Sequence, residues 1–113
     1  MALDRGKLAN VVVVAAGSTV GIITVASSKK VYVKSIICSG AATTAGGNAH
    51  VYFVPNGGSA GATNQIFDVS FSAGETVLIE PSYPLVFDTT GDALFCGAKT
   101  VACNILITGD KEA

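Results

Sequence analysis

Residues 65–80 read Gln65-Ile66-Phe67-Asp68-Val69-Ser70-Phe71-Ser72-Ala73-Gly74-Glu75-Thr76-Val77-Leu78-Ile79-Glu80. Phe67, Val69 and Phe71 alternate with Asp68 and Ser70. After the tight Ala73-Gly74-Glu75 turn, Val77 and Ile79 alternate with Thr76, Leu78 and Glu80. Successive side chains of a strand point to opposite faces, so this period of two marks two half-buried strands joined by a turn. The stretch therefore reads as a β-hairpin with Phe67, Val69, Phe71, Val77 and Ile79 inward.

The same grammar extends in both directions. Val31–Ser39 puts Val31, Val33, Ser35 and Ile37 on one face and Tyr32, Lys34, Ile36 and Cys38 on the other, with the Lys34 face expected outside. In Val101–Thr108, Val101, Cys103, Ile105 and Ile107 oppose Ala102, Asn104, Leu106 and Thr108. Further short apolar runs are Val11–Ala16, Thr19–Ala26, His50–Val54, Leu85–Asp88 and Ala93–Cys96, separated by Gly, Ser, Asn, Pro and Ala/Thr clusters. The longest separators are Gly40–Ala49 and Asn56–Asn64. No window carries helical spacing free of Gly and β-branched clusters. The pattern predicts an all-β chain: a single antiparallel β-sandwich of about eight to nine short strands, jelly-roll-like or immunoglobulin-like.

Boundaries follow from composition. Residues 1–10 hold Asp4, Arg5 and Lys7 with isolated leucines at Leu3 and Leu8, and read as an N-terminal arm, either free or docked on an adjacent subunit through Leu3, Arg5 and Leu8. Residues 11–109 form the sandwich domain, and residues 110–113 a polar tail. The uncharged stretch Leu8–Ser28 would attract a hydropathy window. A membrane helix needs about 20 predominantly apolar residues. Here Gly17-Ser18-Thr19, Gly21 and Thr24 interrupt a β-branched run, which suits two strands and a turn. The same interruption, and a poor cleavage pattern near Ala26-Ser27, weigh against a secretory signal.

The chain has 113 residues, 50% of them hydrophobic and only 13% charged. Soluble domains average about 25% charged residues. So little charge means either a surface wetted by Ser, Thr, Asn and Gly or one hidden against copies of the chain; the scarcity of large apolar patches on monomers favours self-assembly. Ile36, Leu78 and Leu106, apolar members of otherwise outer faces, are the residues expected to pack against a neighbouring subunit. The net charge of −1 offers no basic footprint for nucleic acid and no polybasic segment for a membrane.

Chemistry is sparse. Three cysteines, Cys38, Cys96 and Cys103, lack a C-x-x-C spacing and read as buried free thiols, though Cys96 and Cys103 flank a predicted hairpin turn and could face each other. His50 is the one histidine. A nucleophile–base–orienter set needs it beside a Ser or Cys with a carboxylate behind it, and nothing in the spacing points there. Asp68, Glu75, Glu80, Asp88 and Asp92 fall at turns and strand ends. No metal-ligand spacing and no phosphate loop is present, so no catalytic residue, metal or cofactor is expected. Tyr32, Tyr52 and Tyr83 leave carbohydrate binding by a sandwich face open.

The segment Ser27-Ser28-Lys29-Lys30-Val31-Tyr32-Val33-Lys34-Ser35-Ile36-Ile37 resembles one found in small virion proteins of tailed phages. There a long Gly/Ala/Thr loop and an aromatic strand follow, as in His50–Pro55, then a hairpin like Ile66–Val77, a Pro-Leu-Val-Phe segment like Pro84–Phe87, and a closing strand pair like Ala93–Thr108. The resemblance spans roughly residues 19 to 109 and rests on turn and strand patterns. Val11–Ala16 and Ser27-Ser28 depart from it. It implies a β-sandwich capsid decoration (cement) protein, often trimeric and without a cofactor, bound to a major capsid protein or another virion protein. The alternative it implies is a neck, tail or fibre-attachment protein, and a carbohydrate-binding module stays open beside these.

Overall fold

A computed structural model describes residues 3–9, 11–40 and 45–112. These residues form ten strands and no helix: β1 (Leu3–Lys7), β2 (Val12–Val14), β3 (Thr19–Thr24), β4 (Val31–Gly40), β5 (Gly47–Val54), β6 (Gln65–Phe71), β7 (Thr76–Ile79), β8 (Leu85–Phe87), β9 (Ala93–Lys99) and β10 (Cys103–Glu112). The all-β antiparallel sandwich expected from the alternation is what the chain forms. The uncharged Leu8–Ser28 stretch is β2, a turn and β3. No helix among the described residues is long and apolar enough to cross a membrane.

The pairings describe one long hairpin, rolled up. β5 pairs β6 at its tip, β4 pairs β7 and β8, β3 pairs β9, and β1 and β2 pair β10. Rolling that ribbon brings β10 beside β4 and β9 beside β5. The two layers run β1/β2-β10-β4-β7/β8 and β3-β9-β5-β6. This is jelly-roll order, not the immunoglobulin arrangement. Pro81 and Pro84 explain why one edge is split into β7 and β8, since proline cannot donate to the ladder.

The core lies between the layers. Ile36, Phe87, Leu94, Ile105 and Ile107 are fully buried, each contributing about 1.5–3 kcal/mol of burial. Phe53 of one layer stacks on Phe87 of the other, ring centroids 4.2 Å apart. In β6, β7 and β10 the inward faces are those the alternation predicts.

Several expectations are corrected. The stretch 65–80 is not a hairpin. β6 pairs β5 and β7 pairs β4, so the turn at Gly74 (φ 70°) carries the chain from one layer to the other. Likewise β9 and β10 lie in different layers, so Cys96 and Cys103 do not face each other across a hairpin. All three cysteines are free and buried.

The expected arm is instead largely a strand: Leu3–Lys7 pair with Thr108–Glu112, which also draws the expected polar tail into β10. Backbone pairing on an open sheet edge needs no apolar periodicity, so composition does not reveal it. Met1, Ala2 and Asn10 of that arm, residues 41–44 of the predicted Gly40–Ala49 loop, and Ala113 of the tail lie outside the described residues.

β4 departs from the strict alternation expected of it. Thr108 pairs with Ser35 but Gly109 with Val33, so Lys34 is an extra residue, a β-bulge. A bulge inverts the alternation beyond it. Val31 and Val33 point inward, and so do Ile36 and Cys38, while Ile37 faces out. Gly109 makes the bulge possible, because a Cβ there would sit 1.9 Å from the Tyr32 carbonyl oxygen.

Candidate functional site

The outer face of the β1/β2-β10-β4-β7/β8 layer is built in cross-strand rows. Val13, Asn104, Ser39 and Thr76 form one; the Thr76 hydroxyl donates to Ser39 Oγ at 3.3 Å. The next is Leu106, Ile37 and Leu78, directly opposite one another across three strands. Ser35 and Thr108, joined by a short hydroxyl–hydroxyl hydrogen bond, form the third. The middle row is wholly apolar; the Asn104–Ser39–Thr76 row on one side carries no charge, while Lys7, opposite Thr108, continues the row on the other and Glu80 lies beside Ser35. Leu78 is 55% exposed, and Val13 and Val11 at the row's margin 63% and 58%. Two predicted interface residues, Leu78 and Leu106, therefore stand in one row on one surface, with Ile37 between them. Ile36 does not join them: it is wholly buried, and the Lys34 bulge puts Ile37 in its place.

The other predicted residues sit elsewhere. Leu8 packs against its own core and donates its N–H to the Ile107 carbonyl. Leu3 pairs its backbone with Glu112. Arg5 lies at the far end of the same layer, its Nε 3.3 Å from Asp110 Oδ1, with Lys34 Nζ 2.7 Å from Oδ2. The Lys34 hydrogen bond, helped by the charges of Lys34 and Arg5, holds the Asp110 carboxyl below its ordinary pKa. The bulge is what swings Lys34 over this otherwise buried carboxylate.

The opposite layer presents a different surface. Its central row runs Thr19, Gly97, His50, Asp68; beside it run Gly21, Phe95, Tyr52 and, on the other side, Lys99, Asn48, Ser70. A Cβ on Gly21 would lie 3.1 Å from Phe95 Cζ and 3.4 Å from both Cε atoms. Those are the distances of a point above Cζ along the ring normal; an edge-on ring would hold its Cε atoms farther away. Phe95 therefore lies flat over Gly21, one face against the sheet. Tyr52 leans toward Gly97, its Cε1 3.5 Å from where a Cβ would be, and stacks on His50 at 6.3 Å. Asn48 Nδ2 donates to Asp68 Oδ1 (3.1 Å) and Ser70 Oγ (3.2 Å).

Histidine, carboxylate and serine thus meet on this face, but not as a catalytic relay. His50 Nδ1 is 3.7 Å from Asp68 Oδ1, beyond hydrogen-bond reach, and has no partner. The Ser70 hydroxyl is engaged by Asn48 rather than by His50, and the surface is an open sheet face instead of a cleft. Nucleophile and base would need to share a hydrogen bond.

The thiols are unpromising as reagents. Burial, with the neighbouring Cys103, pushes Cys38 up to about 11; burial, with Cys38 and Cys103, pushes Cys96 up to about 12; burial raises Cys103 as well. Among the described residues no group of three His, Cys, Asp or Glu side chains could hold a metal ion. A groove of about 500 Å³ opens between the layers, with Leu8, Ile22, Ile23 and Val31 in its floor and Asp4, Lys30, Lys111 and Glu112 at its rim.

No protein-family model and no curated protein sequence matches the chain.

Proposed function

We propose that this chain is a structural subunit of a phage particle, a capsid decoration (cement) protein that binds between capsid subunits and associates with its own copies, as a trimer by the resemblance in its sequence. A fold of this kind hosts many functions and decides none. The observation that carries the reading is the wholly apolar Leu106–Ile37–Leu78 row on the outer face, with Leu78 and Val13 exposed. Such a row is suited to burial against an apolar strip of a neighbouring subunit, and in a trimer that strip is a different patch of the next copy, because a patch meeting itself closes as a dimer. An apolar row on the outer face is in keeping with the 13% charged content. Cement function follows from repetition, because contacts that are modest singly add up over symmetric positions on a shell.

The test of association is the solution mass by size-exclusion chromatography with light scattering, at two protein concentrations. The wild-type chain is expected as a closed oligomer, and Ile37→Lys and Leu78→Lys as folded monomers. A wild-type monomer at both concentrations overturns association through this face. The virion half is tested by electron microscopy of purified phage particles with antibody to the chain. Label at symmetric capsid positions supports it; particles without the chain remove it.

A further inference from the structure

The geometry points to a second surface with a separate role: the outer face of the β3-β9-β5-β6 layer as a binding platform for a neutral oligosaccharide. Three features carry this.

The first is the aromatic floor. Glycine at positions 21 and 97 removes the side chains that would stand between the rings and the sheet, so Phe95 lies flat and Tyr52 leans in beside it. Tyr52 and Phe95 are direct cross-strand neighbours. Both are half-buried, as a ring is when one face is covered and the other is not. A ring presented face-up, as Phe95 is, suits the C–H face of a sugar ring, and rings already held in place lose little entropy when a ligand settles on them.

The second is the polar margin. Asp68, directly opposite His50, is diagonal to Tyr52, a separation of about 7–8 Å, the span of one hexose with its hydroxyl groups. Asn48 occupies one lone pair of the Asp68 carboxylate; an ionised carboxylate has about four acceptor sites, so several remain for hydroxyl donors. Asn48 holds that carboxylate and Ser70 in fixed relation, so the margin is arranged before a ligand arrives. Thr19 adds a hydroxyl on the other side of Gly97, 3.0 Å from where its Cβ would be.

The third is charge. The face sets one carboxylate, Asp68, against one ammonium, Lys99, and offers no positive field to a nucleic acid or other polyanion. Sugar hydroxyls, which both donate and accept, complement a face that offers a carboxylate, an ammonium, an amide and hydroxyl groups. The occupant is therefore a neutral glycan, and an anionic one is disfavoured.

The experiment is a glycan array probed with labelled wild-type protein, Tyr52→Ala and Asp68→Asn, each checked for its β-sheet circular dichroism. A neutral-glycan hit is then titrated by NMR. Binding of one or more neutral glycans, weakened at least tenfold by both variants and shifting resonances of Asn48, Tyr52, Asp68 and Phe95, is expected. Asp68→Asn keeps shape and packing, so its effect separates recognition from folding. Absence of any neutral glycan bound above the Tyr52→Ala background overturns the proposal, as does binding that both folded variants retain, or binding confined to acidic glycans.

Discussion

At the scale of single residues the cysteines show how position decides chemistry. A thiol reacts as its thiolate, and burial holds Cys38 near pKa 11 and Cys96 near 12, with Cys103 raised as well. At neutral pH all three are small apolar side chains with the proton on. The sign for stability follows by linkage. The folded state keeps protons that the unfolded chain releases from about pH 8.5, so this contribution is whole below that pH and is lost as pH rises toward the folded values. The native protein at pH 8 is expected to leave a thiol reagent such as dithiobis-nitrobenzoate unconsumed, and to consume three equivalents in denaturant. Its urea midpoint should fall between pH 9 and pH 11, and substituting Cys96 by alanine should lessen that fall. Rapid labelling of the folded protein at pH 8 would contradict the burial of the thiols. The buried, free state of these cysteines was legible from their odd number and spacing. Their gathering in one core was not, because that depends on which strands become neighbours.

At the scale of the element, β4 is where sequence and structure part. Strict alternation assigns Ile36 to the outside and Ile37 to the inside; the bulge at Lys34 reverses them. Ile36→Ala is therefore expected to destabilise the fold by about 2–5 kcal/mol, and Ile37→Ala, at a half-buried site on the outer face, to cost only about 1 kcal/mol. Urea unfolding in the Leu78→Lys background, which removes any contribution from association, reads both. Equal costs would mean that the bulge is absent in solution. Nothing in Val31–Ser39 by itself announces a bulge. Its causes lie 70-odd residues away, in a glycine at 109 that lets the Tyr32 carbonyl approach and in a carboxylate at 110 that engages Lys34. β1 was hidden for the same kind of reason, since its place is set by the free edge of β10 and not by its own pattern. Turns fared differently. Gly17 and Gly74 mark real reversals, yet the turn residues do not say whether the next strand stays in the layer or crosses. Among the successive strands of the described chain, β5 and β6 alone form a hairpin. Two members of the apolar row, Leu78 and Leu106, were thus legible as outward-facing apolar residues. Its centre, Ile37, needed the bulge, and the Phe95–Tyr52 floor needed the pairing of β3 with β9 that puts Gly21 beneath a ring.

At the scale of the whole molecule the two outer faces point in opposite directions, with the core between them. Association through the Leu106–Ile37–Leu78 row leaves the Tyr52–Phe95 face of every copy turned outward. An assembly of this kind presents several glycan platforms at once, and linked sites can hold a surface 10²–10⁴ times more tightly than one site does without any new contact. Ile37→Lys lies on the other layer from the platform and should leave the affinity of a single site unchanged in an NMR titration with soluble glycan. On a glycan-coated sensor surface the same variant should dissociate about 10²-fold faster than the wild-type oligomer. The comparison separates the two faces. Loss of solution affinity in Ile37→Lys would show that the faces are coupled through the core, and equal dissociation of oligomer and monomer would show that the platforms of one assembly cannot reach a common surface. A wild-type chain that retains the surface tightly while Tyr52→Ala and Ile37→Lys each fail, the first in both assays and the second on the surface alone, is the pattern that two opposed faces of one sandwich require.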